Sequence, residues 1–163
     1  SAVGIAGSAE KCRLLTENLG YRAAIDYRLG PIDMRLAELM PEGIDVFFDN
    51  VGGEILDAGL AQLRRHARVV LCGAISQYID GIERPRPLNN AFAIFKKMAR
   101  MEAFFIYEMS EHFERAEAQM AEWITEGKLI YQEDILDGLE QMPEALIRLF
   151  EGRNLGKQLV HVS

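Results

Sequence analysis

Four stretches place polar or small residues where an apolar run ends, which is where a chain can do chemistry. In Gly7-Ser8-Ala9-Glu10-Lys11 a short apolar run stops at a glycine and a hydroxyl, and a lysine follows one turn on. A small hydroxyl, a helix N-terminus and a nearby cation suit a phosphate. At the second strand of a dinucleotide fold an acidic tip would instead grip both ribose hydroxyls. No acid stands there, so the 2′-phosphate of NADP(H) is the better fit; the bland alternative is a helix cap with a solvated lysine. In Phe47-Phe48-Asp49-Asn50-Val51-Gly52-Gly53-Glu54 the glycines allow a tight turn or a close backbone approach to a ligand. Asn50 there offers both a donor and an acceptor; the alternative is an Asp- or Asn-capped strand-to-helix turn. In Leu71-Cys72-Gly73-Ala74-Ile75-Ser76-Gln77-Tyr78 small residues would let a flat ring lie on the backbone. Tyr78 could donate to a ribose hydroxyl or a substrate carbonyl, or it is simply a surface tyrosine. The fourth stretch, Gly152-Arg153-Asn154-Leu155-Gly156-Lys157, fails as a phosphate-cradling P-loop. Its spacing is short, Gln158 stands where Ser or Thr is needed, and it follows a helical pattern.

Other chemistries lack their residues. His66, His112 and His161 show no metal-ligand spacing, and Cys12 and Cys72 form no C-x-x-C pair. A serine-hydrolase elbow is absent. The net charge of −7 argues against non-specific nucleic-acid binding and against an anionic membrane surface. No apolar run reaches the roughly 20 residues that span a bilayer. A reducing, cytoplasmic setting is the simple expectation for so few cysteines.

The elements that must carry these stretches read as strands alternating with helices. Apolar runs at 2–6, 44–48, 67–72 and 103–107, with a weaker one at 23–27, suggest buried strands. Helical spacing runs through 8–19, with Ser8 as N-cap and Gly20 as C-cap. It returns at 31–40, 53–65, 89–100, 110–126 and 138–151, and 157–162 reads as a last strand. The one long loop expected lies at 79–88, with Pro85 and Pro87. Alternation of this size predicts an α/β, Rossmann-like, doubly wound parallel sheet covered on both faces.

Taken together, these motifs resemble the medium-chain dehydrogenase/reductase superfamily, in its zinc-independent prostaglandin/leukotriene reductase and alkenal double-bond reductase branch. The resemblance also rests on Ala24-Ile25-Asp26-Tyr27 and runs through almost the whole chain. It implies an NADP(H)-binding Rossmann domain at residues 1–127 and a C-terminal segment, 128–163, that packs on a GroES-like catalytic domain. That domain and an A-x-x-G-x-x-G pyrophosphate turn would precede Ser1, so the expectation is a cofactor-domain fragment, incomplete at its first strand and inactive alone.

The resemblance further implies roles for individual residues. Lys11 matches the 2′-phosphate partner, with Gly7 and Ser8 shaping its pocket and Tyr27 beside the adenosine ribose phosphate. Asn50 and Val51 would contact the cofactor. Cys72, Gly73, Ala74, Ile75, Ser76 and Tyr78 would run along the nicotinamide riboside. Phe104, Phe105 and Ile106 would form a cofactor-lining strand, although the family's usual Gly-Phe-Ile-Val is Ala103-Phe104-Phe105-Ile106 here. Asn154 would close over the cofactor. The implied activity is hydride transfer from NADPH to the C=C bond of an α,β-unsaturated ketone or aldehyde, with Tyr78 as the catalytic candidate and a homodimer as the assembly. The alternatives are a non-catalytic NADP(H)-binding or dimerisation module, and a quinone reductase of the same superfamily.

Overall fold

A computed structural model of the chain describes residues 1–80 and 86–162. Residues 81–85, the middle of the expected long loop with Pro85, lie outside the described residues. The chain forms two compact units, Leu29–Phe113 and an interleaved one made of Ser1–Arg28 with Glu114–Ser163.

The interleaved unit contains two parallel strand pairs. Strand β1 (Val3–Ala6) pairs in register with β2 (Ala23–Asp26), so that Ile5 faces Ile25 across the ladder. Helix α1 (Ala9–Arg13) connects them and continues as a wider π-helical turn over Leu14–Asn18. As its residue type predicts, Ser8 caps α1: its Oγ accepts the Lys11 amide at 3.2 Å. Gly20, at φ 72°, ends the segment where only glycine enters the left-handed region cheaply. Helix α6 (Phe113–Thr125) follows a short 3₁₀ segment, Ile106–His112. Strands β6 (Glu133–Asp137) and β7 (Lys157–His161) form the second pair, joined through α7 (Met142–Glu151). Gly152 closes α7 in the left-handed conformation (φ 66°, ψ 30°).

The other unit holds one sheet in the order β3 (Ile44–Asp49), β4 (Leu63–Leu71), β5 (Arg100–Ala103), all parallel. Helix α2 (Ile32–Leu39) precedes β3, α3 (Gly53–Ala61) joins β3 to β4, and α4 (Ile75–Asp80) and α5 (Phe92–Lys97) lie between β4 and β5. Leu36, Ile44, Phe47, Leu56, Leu60, Leu63 and Val69 are buried and form its core. Fully burying a side chain of this size is worth about 1.5–3 kcal/mol.

Three expected boundaries move. The helix expected to reach residue 65 stops at Ala61, and β4 begins at Leu63 because Leu63 pairs with Ile44. The chain then bulges, with His66 at φ 65°, before Arg68 resumes the ladder beside Val46. The strand expected at 103–107 is β5, which starts three residues earlier: Met98 turns left-handed at φ 48° and stops α5, so the chain enters the sheet at Arg100. Phe104 follows that strand, and Phe105 and Ile106 lead into the 3₁₀ segment. Third, the helix that precedes the expected loop at 79–88 begins at Ile75 and takes in Ile79 and Asp80.

Gly59 is where α3 meets the sheet. A Cβ there would stand 2.7 Å from Phe47 Cζ and 2.8 Å from both Cε atoms. Overpacking of this kind costs about 1–3 kcal/mol, and the better helix propensity of alanine returns at most about 1 kcal/mol. We expect Gly59→Ala to lose stability on balance, by about 1–2 kcal/mol in urea unfolding; an unchanged midpoint would show that Phe47 has room to move.

Candidate cofactor site

The sequence-predicted residues fall into one group in each unit. In the interleaved unit, β1 ends at Ala6, and Gly7 turns the chain into the α1 cap. Gly7 has no side chain because Tyr27 occupies the space: a Cβ would lie 2.8 Å from Tyr27 Oη. Arg28 sits over the Tyr27 ring, its guanidinium carbon 5.7 Å from the ring centroid. Ser8 and Lys11 line a cavity of about 480 Å³ together with Arg28, Arg148, the 152–155 loop and two carboxylates, Glu10 and Glu151, the latter paired with Arg153. A Cβ on Gly152 would stand 3.6 Å from Lys11 Nζ and 3.9 Å from an Arg28 Nη. Thus Gly7, Ser8, Lys11, Tyr27 and Asn154 are brought together.

Charge decides what this cavity can take. Arg148 donates to Asp134 at 2.7 Å, and Arg153 is held by Glu144 at 2.8 Å and Glu151 at 2.5 Å. Among the described residues, Lys11 and Arg28 have no carboxylate within ion-pair distance. Burial lowers the pKa of Lys11, the charge of Arg28 lowers it further, and Asp134 opposes both. Two cations without an ion-pair partner among the described residues, beside a helix N-terminus, attract an anion, and a phosphate monoester would satisfy them. The residues present therefore fit a 2′-phosphate.

Arg28, Arg148 and Arg153 were not singled out in the sequence. Arg28 does follow Tyr27 directly, and that adjacency was the available signal. The 152–157 stretch has no P-loop geometry, since Gly152 is a helix C-cap. Its Asn154 donates to the Gly156 carbonyl at 2.7 Å, and the Leu155 amide donates to Asp134 at 2.9 Å.

The second group lies at the ends of β3 and β4. Asp49, the last residue of β3, is only 2% exposed. Its carboxylate accepts the amides of Val51 (3.1 Å) and Gly52 (2.8 Å). Burial pushes the Asp49 carboxyl above its ordinary range, and those two amides pull it part of the way back. Asn50 and Val51 pass along Cys72, Gly73, Ala74, Ile75 and Ser76: the Ile75 amide donates to the Asn50 carbonyl at 3.1 Å and Ser76 Oγ to the Val51 carbonyl at 2.6 Å. Asn50, Cys72 and Tyr78 are exposed, Tyr78 on α4. Phe104 packs its ring 6.5 Å from that of Phe48, while Phe105 and Ile106 stand largely in the open. No group of three or more His, Cys, Asp or Glu among the described residues could hold a metal ion.

Residues 1–125 match the family described as zinc-binding dehydrogenase. The chain belongs to that family. Among its relatives, a 2-alkenal reductase (NADP(+)-dependent) of Nicotiana tabacum is 40% identical over 162 residues, covering 99% of this chain and 47% of that protein. An NADPH-dependent curcumin reductase of Escherichia coli (strain K12) is 38% identical, with coverage of 99% and 48%. The crystal structure of CurA in complex with NADPH from Vibrio vulnificus superposes with a TM-score of 0.88 at 34% identity, over 99% of this chain and 49% of that one. The chain thus spans about half the length of the relatives it matches. The fold of this chain is Rossmann-like α/β, as the strand–helix alternation predicts.

Proposed function

We propose that this chain is the NADP(H)-binding portion of a reductase that saturates the C=C bond of α,β-unsaturated ketones and aldehydes. The observation that carries the reading is the cavity beside α1. Lys11 and Arg28 face it without a carboxylate partner among the described residues, and no acid stands at the end of β1 to hold a free 2′-hydroxyl. Likeness to relatives named for NADP-dependent enal and curcumin reduction supports the same assignment.

In this reading Lys11, Ser8, Arg28 and Tyr27 bind the adenosine end, and Asn154 closes over the cofactor. Asn50, Val51 and the 72–76 loop hold the nicotinamide end. NADPH supplies the hydride that adds to the β-carbon of the enone. The chain's contribution is positioning and stabilisation of developing enolate charge. Exposed Tyr78 is the candidate to donate to the enolate oxygen or to the nicotinamide ribose. Exposed apolar residues in 128–163, among them Leu139, Met142, Leu146 and Phe150, support packing of that segment on a substrate domain. All four residues of β5, an edge strand of its sheet, are exposed, which supports a homodimer paired through that region. The free thiols Cys12 and Cys72 support a reducing, cytoplasmic setting. No helix of the described residues is long and apolar enough to cross a membrane.

Titration with NADPH and NADH, followed by the tyrosine and tryptophan fluorescence of the chain, tests the reading. We expect NADPH to bind more tightly by at least about tenfold, the scale of one charge-assisted contact. Equal affinities would overturn the 2′-phosphate assignment. For the substrate class the assay is made on the chain joined to its substrate domain: NADPH should be oxidised on addition of a 2-alkenal, and no oxidation would overturn the assignment.

A further inference from the structure

Asp49 is the one charged residue buried among those described, and the chemistry above does not use it. A buried carboxylate is costly unless its oxygens are hydrogen-bonded, so its partners indicate what it is for. Both oxygens are spent on the turn after β3, on the Val51 and Gly52 amides. That turn carries Gly52 at φ 72°, ψ −162°, a conformation essentially confined to glycine, and Gly53 at φ 58°. The backbone carbonyl of Asp49 accepts the amides of Cys72 (2.8 Å) and Gly73 (3.3 Å), which start the neighbouring loop. That loop ties itself back: Ile75 to the Asn50 carbonyl, and the Ser76 amide (3.0 Å) and hydroxyl to the Val51 carbonyl. A Cβ on Gly73 would come within 3.2 Å of the Asn50 carbonyl oxygen, so the two loops touch with no room between them.

We infer that Asp49 is a positioning residue: it fixes the 50–52 turn, and through it the 72–76 loop, as one body that presents Asn50 to the nicotinamide half of the dinucleotide. It touches no ligand itself. This inference rests on the cofactor reading above and adds a division of labour to it. The Lys11 cavity sets the preference between NADPH and NADH, whereas Asp49 sets the affinity for both alike. In the Asp49→Asn variant the side chain keeps its shape, loses its charge and turns an NH₂ toward one of the two amides. One amide of the turn is then left without an acceptor.

The test measures three probes on the full chain: NADPH, NADH and adenosine 2′,5′-bisphosphate, which lacks the nicotinamide half. We expect Asp49→Asn to weaken NADPH and NADH by the same factor, about tenfold, the scale of one charge-assisted hydrogen bond. Affinity for adenosine 2′,5′-bisphosphate stays at the wild-type value. The Ser76→Ala variant removes the hydroxyl bond from the other loop while the backbone bonds remain, and should show the same uneven pattern with a smaller loss, which keeps the test open if Asp49→Asn does not fold. A folded variant that binds NADPH like wild type overturns the positioning role. So does an equal loss across all three probes, which would mean general damage. Wild-type protein that binds none of them overturns the cofactor reading itself, and the inference with it.

Discussion

Lys11→Ala should cost NADPH about tenfold to a hundredfold in affinity and leave NADH nearly unchanged, because one charge-assisted phosphate contact is worth roughly 1.5–3 kcal/mol. The expectation follows from what Lys11 lacks. It is half-buried, it caps no carboxylate among the described residues, and its ammonium stands close to the 152–155 loop and to Arg28. Two cations in proximity raise each other's energy until an anion arrives. Arg28→Ala should therefore weaken NADPH as well, by less: Arg28 also rests on the Tyr27 ring, and its removal relieves the repulsion that lowers the pKa of Lys11. The pH profile has a definite sign. A phosphate monoester loses its second proton near pH 6, so the preference for NADPH grows as pH rises through that value. Lys11, with its pKa below the ordinary lysine value, sheds its proton earlier than a solvated lysine would. The preference then declines on the alkaline side, and the decline disappears in Lys11→Ala. Isothermal titration of both nucleotides across pH measures all of this. Equal losses of NADPH and NADH would refute the 2′-phosphate role of Lys11.

Much of this arrangement is legible in the sequence because local chemistry fixes it. Ser8 caps its helix, glycines stand at 20 and 152 where the backbone turns left-handed, and the Asp49–Gly53 turn ends a strand whose Ile44 and Phe47 are buried in the core. What local reasoning misplaces are cases where pairing outweighs pattern. The run Leu63-Arg64-Arg65-His66 continues the helical spacing of α3, yet Leu63 is fully buried against the sheet and the polar residues ride a bulge. Strand β5 has only Met101 and Ala103 to advertise it, and its Arg100 and Glu102 hide it beside the more apolar stretch that follows. Arg148 was beyond reach for a different reason. It lies more than a hundred residues from Lys11 in the chain, on a helix whose apolar spacing reads only as packing, and it reaches the cavity because Glu114–Ser163 folds with Ser1–Arg28.

Gly156→Ala should be the most destabilising glycine-to-alanine change among the described residues, at about 3 kcal/mol or more. Two costs add there. Gly156 sits at φ 96°, where a side chain is strained by about 1–3 kcal/mol whatever the surroundings. A Cβ would also stand 2.2 Å from the Gln132 carbonyl oxygen, and that neighbour is backbone, so no rotamer can move it aside. The same carbonyl accepts the Lys157 amide at 2.7 Å and opens the β6–β7 ladder, so relief of the clash parts the strands at that end. Gly127→Ala separates the two costs. Its φ of 69° is also positive, but nothing lies within 4 Å of the new methyl, so only the backbone term, about 1 kcal/mol, should appear. Urea unfolding of the two variants reads the difference directly. The consequence for the cavity follows from the Gly156 carbonyl, which holds the Asn154 side chain, and from Asp134, which holds the Leu155 amide. If the strands part, that loop is released from its place beside Lys11. Gly156→Ala should then bind adenosine 2′,5′-bisphosphate more weakly even under conditions where it remains folded, while Gly127→Ala binds it as wild type does. Equal stabilities of the two variants would mean that the Gln132 backbone yields freely, and that the 152–156 loop is not held from that side.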